Sequence, residues 1–226
     1  MGNYFNQELD TTGPMNPTIS INNGAHYATS RIVNCTIGTS DQDTIDYTMK
    51  LWGDVALDYD EDVQDSELSS NWISFSNSKD VKLSATEGNK TVYLKLRDDV
   101  ANPSEQTSAS IVLDTTLPVI TITGPDITRI SKQPGSDESS FSFEVSKDFD
   151  EFKVMVVTTP GSAHTTGTQL PTTGGSSNMS GSSGDYSKDL PITCKINGSD
   201  LEAASSGDGI KTIKVFVKDK AGLWSE

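Results

Sequence analysis

The 226-residue sequence has only two cysteines and two histidines, which limits the metal and redox chemistry that it can carry. A structural zinc site needs about four such ligands close together, and a disulfide framework needs several pairs of cysteines. Cys35 and Cys194 fall in different halves of the chain. We therefore predict that both are small core residues rather than a disulfide pair or metal ligands.

Positive charge is also scarce. The sequence has 17 Lys and Arg residues against 32 Asp and Glu residues, so its formal net charge is −15. A nucleic-acid-binding protein needs a basic face, and anionic lipid headgroups repel an acidic protein. No run of about 18 apolar residues occurs, as a membrane-spanning helix would need. We predict neither nucleic acid as a partner nor insertion into a membrane.

Helical periodicity is nearly absent, and short runs of alternating apolar and polar residues take its place. In residues 91–97, Val92, Leu94 and Leu96 fall on one face, which is typical of a strand with one buried side. Similar runs recur between segments rich in Gly, Pro, Asn, Asp and Ser, and no helix is predicted between them. The pattern predicts an all-β fold of β-sandwich domains. The predicted strands are 17–22, 30–37, 44–52, 81–85, 90–97, 108–113, 119–123, 140–145, 151–158, 190–196 and 211–218.

An internal repeat divides the chain. Residues 90–98, KTVYLKLRD, match residues 211–219, KTIKVFVKD, and a second pair, LDTTGP at 9–14 and LDTTLP at 113–118, marks two domain entrances. We predict an N-terminal segment at residues 1–10, domain 1 at 11–116 and domain 2 at 117–226. Domain 2 carries an insertion at 158–188 that is rich in Ser, Thr and Gly. This composition predicts either a mobile loop or a binding tip displayed on a scaffold.

Four stretches of domain 1 resemble bacterial immunoglobulin-like repeats: residues 72–76, 81–85, 87–98 and 111–118. Residues 209–222 of domain 2 are similar again. The resemblance implies that the all-β fold consists of two tandem immunoglobulin-like β-sandwich domains. Such repeats occur in bacterial surface adhesins and in tailed-phage virion proteins, so it also implies a structural or adhesive role. The loop after the shared strand departs from the usual Asp-x-Ala-Gly-Asn pattern of these repeats, with DDVAN at 98–102 and DKAGL at 219–223.

The expected function is that of a non-enzymatic virion protein of a tailed bacteriophage, such as a decoration, fibre or baseplate accessory protein. Residues 1–16 also lack the basic and apolar regions of a secretory signal, which agrees with this location. The expected partners are other virion proteins or a host-surface glycan, with Tyr59 and Trp224 as possible ligand contacts. The alternative is a segment of a bacterial cell-surface adhesin. Catalysis is not expected, because neither His26 nor His164 is followed by a pattern that places a nucleophile beside it.

Calcium is the one cofactor that the resemblance implies, since related repeats often hold it between successive domains. The matching positions are Asp114, with Asp98 or Asp99, at the joint between the domains. Asp10 and Asp219 would form the equivalent site at a joint between molecules. The alternative is that these aspartates cap turns by accepting hydrogen bonds from their own backbone.

Domain 2 is predicted to lack its last strand. The repeat aligns Glu226 with Glu105, and domain 1 continues with a strand at residues 106–114 that has no counterpart. Three explanations stay open: the chain is a fragment of a longer repeat protein; the gap is filled locally or by a different virion protein; or residues 4–9 of another copy complete the domain by β-augmentation. The last would be a head-to-tail contact, with Tyr4, Phe5 and Leu9 in the added strand and Phe5 and Leu9 filling the core.

Overall fold

The structure is a computed structural model and describes residues 5–182 and 184–226. The chain divides into two compact units, Met1–Thr115 and Thr116–Glu226, which are called domain 1 and domain 2 from here on. Each unit is built from two β-sheets that enclose a core of alternating apolar residues. The prediction of an all-β, immunoglobulin-like fold is confirmed.

Domain 1 contains eight strands in two sheets, with the strand orders β1-β3-β6 and β2-β8-β7-β4-β5. All neighbouring strands are antiparallel except β2 and β8, which are parallel. The alternation read from the sequence is visible in β7, whose side chains Val92, Leu94 and Leu96 are fully buried. The strands are β1 Thr18–Ile21, β2 Tyr27–Ala28, β3 Ile32–Gly38, β4 Thr48–Gly53, β5 Ile73–Ser74, β6 Ser78–Lys82, β7 Gly88–Arg97 and β8 Thr107–Leu113, with a 3-10 turn at Asn22–Gly24.

Domain 2 repeats much of this arrangement. Its first sheet, β9-β10-β14, follows the order of β1-β3-β6, and its second sheet places β11 between β15 on one side and the short strands β12 and β13 on the other. The core includes Phe143, Phe149 and Val217, each at most 1% exposed. The strands are β9 Ile120–Thr123, β10 Glu138–Val145, β11 Phe149–Val157, β12 Thr168–Gln169, β13 Ser180–Gly181, β14 Ile192–Asn197 and β15 Thr212–Asp219.

One short helix, α1 (Gly198–Ala204), follows β14, so the prediction that no helix lies between the strands is wrong at this point. The sequence contains its start signal: the Asn197 side chain accepts a hydrogen bond from the Ser199 backbone N–H, and Asp200 lies in the first turn. In the described part of the chain, no helix has the length and apolar character to cross a bilayer. One predicted strand is also displaced, from residues 81–85 to Ser78–Lys82.

The described part of the insertion at residues 158–188 is partly built into domain 2. Its central part forms β12 and β13 along one edge of β11. Leu170 and Met179 are each 1% exposed and join the core of domain 2. These two apolar side chains supply the burial that the polar composition did not predict, and backbone hydrogen bonds to β11 complete the attachment.

Candidate functional site at the open edge of domain 2

The edge of β15 is the least completed part of domain 2. One side of β15 pairs with β11 along the whole strand. On its other side, within the residues that the structure describes, residues 223–225 bond to the end of the strand, at Val217 and Asp219, and no strand pairs with its beginning. The equivalent strand of domain 1, β7, pairs on both sides, with β4 and with β8. Within its described residues, domain 2 therefore lacks the counterpart of β8, as predicted, and no strand covers the free side of β15 from Thr212 to Phe216.

A groove of about 770 Å³ lies beside the beginning of β15. In domain 1, β8 runs between β2 and β7, with Tyr27 opposite Val112 on one side and Asn89 opposite Val112 on the other. The groove of domain 2 has the corresponding walls: residues 127–130, which follow β9 as β2 follows β1, and residues 209–213. The groove thus occupies the place that the last strand takes in domain 1.

The groove is lined by apolar side chains with charged groups beside them. Ile127, Ile130, Leu201 and Ile213 line it, and Ile127 is 51% exposed. Ile210, also in the lining, is fully exposed to solvent. Apolar side chains left in water beside unpaired backbone groups define a surface that gains stability when another strand covers it. The charged residues in the lining are Arg129, Lys211 and Asp208.

The opposite edge of the same sheet is covered by the insertion, which Asp200 holds in place. This carboxylate is fully buried and accepts hydrogen bonds from the Thr173 hydroxyl (3.0 Å), the Gly174 N–H (2.5 Å) and the Ser176 N–H (2.9 Å). Burial alone raises the pKa of Asp200, but the hydrogen bonds from Ser176, Gly174 and Thr173 outweigh it, so the pKa lies below its usual value. Sequence reasoning missed Asp200, although its place three residues after a capping asparagine was a usable signal.

Two of the aspartates predicted to bind calcium hold equivalent loops in the two domains. Asp98 Oδ1 accepts hydrogen bonds from the backbone N–H groups two and four residues later, those of Val100 and Asn102. Asp219 Oδ1 does the same with Ala221 and Leu223. Both carboxylates are buried, so they cap turns as the alternative interpretation proposed. In addition, Asp219 Oδ2 accepts a hydrogen bond from Lys147 Nζ at 2.8 Å.

The other three aspartates lie in different surroundings. Asp10 is exposed and its Oδ1 accepts a hydrogen bond from the Thr12 N–H. Asp99 is exposed, and Asp114 is half-buried with its backbone N–H donating to Ala28. Among the residues that the structure describes, no three His, Cys, Asp or Glu side chains form a group that could hold a metal ion. Calcium binding at these positions remains a prediction.

The Asp98 turn gives a first test of these assignments. We expect Asp98→Ala to lower the free energy of unfolding of domain 1 by about 2–3 kcal/mol, because it removes the acceptor of three hydrogen bonds, two from backbone N–H groups and one from the Asn102 side chain. Asp99→Ala is the matched control, since Asp99 is exposed, and should change it by less than about 0.5 kcal/mol. Urea unfolding measures both. Equal effects of the two substitutions would contradict the capping role of Asp98.

The cysteines and histidines lie apart from the groove. Cys35 and Cys194 are fully buried and unpaired in the cores of the two domains, which confirms their prediction as core residues. Burial, with a contribution from Asp80 at Cys35, raises the pKa of each thiol to about 12, so both are unreactive at neutral pH. The ring centres of His26 and Tyr27 are 4.5 Å apart. The His164 ring is stacked on that of Trp224, which is described next.

Of the two predicted ligand contacts, Tyr59 is free at the surface and Trp224 is packed. Tyr59 is 42% exposed in a loop whose Asp58 and Asp60 form ion pairs with Lys82 and Lys79. The Trp224 ring is stacked on His164, with 4.5 Å between ring centres, and packs on the cluster formed by Met155, Val157 and Phe216. Lys153 Nζ also lies 4.7 Å from its centre. Tyr59 therefore offers an accessible aromatic surface, whereas Trp224 contributes to packing.

The N-terminal segment makes no strand within its described residues, 5–10. Phe5 is 84% exposed and Leu9 is 85% exposed. Tyr4 lies outside the described residues. Asp10 connects these described residues to the rest of domain 1, since its backbone carbonyl accepts a hydrogen bond from the Asn102 side-chain amide at 3.3 Å. Two large apolar side chains are thus held in water, on a segment that is not built into its own domain.

The strand orders of both domains define a tandem immunoglobulin-like or fibronectin(III)-like β-sandwich protein. No protein-family model and no curated protein sequence matches the chain. Similar solved structures include the fibronectin(III)-like modules of Clostridium thermocellum CbhA, with 8% identity, a TM-score of 0.41, and coverage of 92% of this chain and 90% of that one. The chitinase ChiA74 from Bacillus thuringiensis has 13% identity, a TM-score of 0.30, and coverage of 93% of this chain and 30% of that one. The class rests on the strand order, because similarity at this level carries no argument about function.

Proposed function

We propose that this protein is a non-enzymatic structural and binding protein, in which two immunoglobulin-like sandwiches support surfaces for contact with other macromolecules. The observation that carries the proposal is the unpaired edge of β15 with its apolar groove. An open strand edge is a surface for pairing with another chain. The buried carboxylates Asp98, Asp200 and Asp219 are all engaged in holding loops, which is a structural use of these groups.

The setting that we propose is the virion of a tailed bacteriophage, where the protein would serve as a decoration, fibre or baseplate accessory component. The resemblance of residues 87–98 and 209–222 to bacterial immunoglobulin-like repeats supports this setting. The same repeats also support the second setting, a segment of a bacterial cell-surface adhesin. In either setting the contacts would be neighbouring proteins or a host-surface glycan, for which the exposed ring of Tyr59 offers a stacking surface.

Immunogold labelling tests the setting. Antibodies raised against the purified chain would be applied to phage particles and to cells from the source culture, with antibodies pre-absorbed on the chain as the control. Gold at a fixed position on particles is the expected result. Gold on cell envelopes would instead establish the adhesin setting, and label confined to the cell interior would contradict both.

A turnover assay tests the non-enzymatic part of the proposal separately. The purified chain would be incubated with a panel of bacterial cell-envelope polysaccharides, and the release of reducing ends would be measured over a day. We expect no release above the level of heat-denatured protein. Hydrolysis that disappears when one Asp or Glu pair is changed to Asn or Gln would overturn the proposal, because paired carboxylates are the usual machinery of glycoside hydrolysis.

A further inference from the structure

We propose that the groove of domain 2 binds the N-terminal segment of a second copy of this chain, with residues 5–9 forming the antiparallel strand that β8 forms in domain 1. The inference concerns how copies join, and it goes beyond the proposed function because it holds in a virion and on a cell surface alike. It rests on three observations: a repeat that fixes the register, a groove that matches the segment in shape and charge, and a segment whose apolar side chains are exposed.

The sequence repeat identifies the segment as the counterpart of β8. Residues 2–10 end at the aspartate of the first LDTT sequence, and residues 106–114 end at the aspartate of the second. Both segments are nine residues long. The prolines that end the two entrances, Pro14 and Pro118, differ by 104 positions (118 − 14). Leu9 therefore corresponds to Leu113, and Phe5 to Ala109.

The register on the groove side follows from the second repeat. Asp98 and Asp219 differ by 121 positions (219 − 98), so Gly209, Lys211 and Ile213 correspond to Gly88, Lys90 and Val92. In domain 1 those three residues pair with Leu113, Ile111 and Ala109. Combining the two repeats places Leu9 opposite Gly209, Gln7 opposite Lys211, and Phe5 opposite Ile213.

The side chains of the segment fit this register. Ile111 and Leu113 are buried in domain 1, so Phe5, Gln7 and Leu9 would face the interior of domain 2. There the groove presents Ile127, Ile130 and Ile213 to the two apolar side chains. Phe5 is larger than the alanine to which it corresponds, and the open groove has room for it.

Gln7 is the one polar residue on the inward face, and Lys211 lies opposite it. The Lys211 ammonium group donates one hydrogen bond, to the Ser206 carbonyl at 3.1 Å. An ammonium group has three donors, so the Gln7 side-chain carbonyl would accept another. A buried glutamine side chain without a hydrogen-bond partner would destabilise the complex. Lys211 supplies that partner for Gln7.

Charge favours the same pairing. The chain carries a formal charge of −15, yet two of the three charged residues in the groove, Arg129 and Lys211, are basic. Residues 1–10 contain Glu8 and Asp10 and no Lys or Arg. An acidic strand beside the basic side of this groove is attracted to it, whereas most of the remaining surface of the chain repels it.

A peptide titration tests the groove and the inward face. A fluorescently labelled peptide of residues 1–10 would be titrated into a chain that lacks residues 1–9 but keeps Asp10, whose carbonyl accepts the Asn102 hydrogen bond. We expect saturable binding that Leu9→Asp or Phe5→Asp in the peptide weakens roughly 10-fold or more. Asn6→Ser, on the outward face and without a change of charge, is the matched control and should change the affinity less than about threefold. No binding, or equal effects on the two faces, would overturn the proposal.

The intact chain tests the second copy. Light scattering after size exclusion should give 24.3 kDa at low concentration and multiples of that mass as the concentration rises, and deletion of residues 1–9 should abolish the increase. A mass of 24.3 kDa at every concentration overturns the proposal, even if the peptide binds, because the segment would then not join copies.

Cysteine cross-linking tests the register. A Gln7→Cys chain mixed with a Lys211→Cys chain should form a disulfide-linked dimer on mild oxidation, since directly opposite residues bring their Cβ atoms to about 4.5–5.5 Å. Gln7→Cys mixed with Thr165→Cys is the control, because Thr165 is exposed in the same domain and does not line the groove. The buried native cysteines do not compete. Equal yields from the two mixtures would contradict the proposed pairing.

Discussion

Replacing Asp200 by alanine is expected to lower the free energy of unfolding of domain 2 by about 3 kcal/mol, because it removes the buried acceptor of three hydrogen bonds, one of them from the buried N–H of Ser176. Two of the donors are the backbone N–H groups of Gly174 and Ser176, and the third is the Thr173 hydroxyl. The loss of their anchor should also release the insertion, since Asp200 joins it to helix α1. Urea unfolding and protease sensitivity within residues 158–188 measure the two effects.

Asp208→Ala is the control for this substitution. Asp208 is exposed in the same domain, so its replacement should change the free energy of unfolding by less than about 0.5 kcal/mol and leave the insertion protected. If Asp200→Ala were no more destabilising than Asp208→Ala, Asp200 would not be the anchor of the insertion.

The lowered pKa of Asp200 makes its contribution to the stability of domain 2 depend on pH. Its pKa in the folded protein lies below the ordinary value of 3.8, so the unfolded chain takes up the proton first as the pH falls. The contribution of Asp200 to stability is therefore complete above about pH 5 and is lost progressively as the pH falls through the folded-state pKa. Between pH 7 and pH 3 the wild-type chain should lose more stability than Asp200→Ala. An equal loss in both would contradict the assignment.

Replacing Gly198 by alanine is expected to destabilise domain 2 by about 3 kcal/mol. A Cβ atom on Gly198 would lie 1.8 Å from the Ser131 carbonyl oxygen and 2.7 Å from its carbonyl carbon, so the backbone of the segment that walls the groove must move. Helix propensity acts in the other direction, since alanine is preferred to glycine inside a helix by about 1 kcal/mol. A destabilised variant therefore reports the steric contact and not a local helix effect.

Gly161→Ala is the matched control for Gly198→Ala, because a Cβ atom on Gly161 meets nothing within 4 Å. It should leave the urea midpoint within error of the wild type, while Gly198→Ala shifts the midpoint to lower urea at an unchanged slope. A Gly198→Ala chain as stable as the control would show that residues 131 and 198 are not in contact, and that the groove wall lies elsewhere.

The two edges of the second sheet of domain 2 differ in a way that bears on function. One edge of β11 is covered by β12 and β13, and the other side of the sheet ends at β15, whose first part has no strand on its free side among the described residues. Natural proteins usually blunt such edges with charge, bulges or a covering segment, because open edges associate. The insertion is such a cover on one side. The groove on the other side keeps its apolar lining, which is the condition for binding a strand.

The sequence by itself determined the class of fold and the lack of a counterpart of β8 within residues 117–226. Alternation along residues 91–97 and the repeat between residues 90–98 and 211–219 are local or periodic signals, and backbone geometry turns them directly into strands with one buried face. The same repeat exposed the missing counterpart of β8 by simple alignment. Neither conclusion depends on the tertiary contacts between residues that are distant in sequence.

Only the tertiary structure decided what the insertion, the aspartates and the groove do. Leu170 and Met179 are two apolar residues in a polar segment, and their burial depends on a partner sheet that is distant in sequence. Asp200 binds Gly174 across 26 positions, a contact that composition cannot reveal. Asp98 and Asp219 look alike as calcium ligands or as turn caps until their hydrogen-bond partners are known. The physical reason is common to all of them: burial and hydrogen bonding are properties of contacts between distant segments, and one-dimensional patterns record only the preferences of each segment alone.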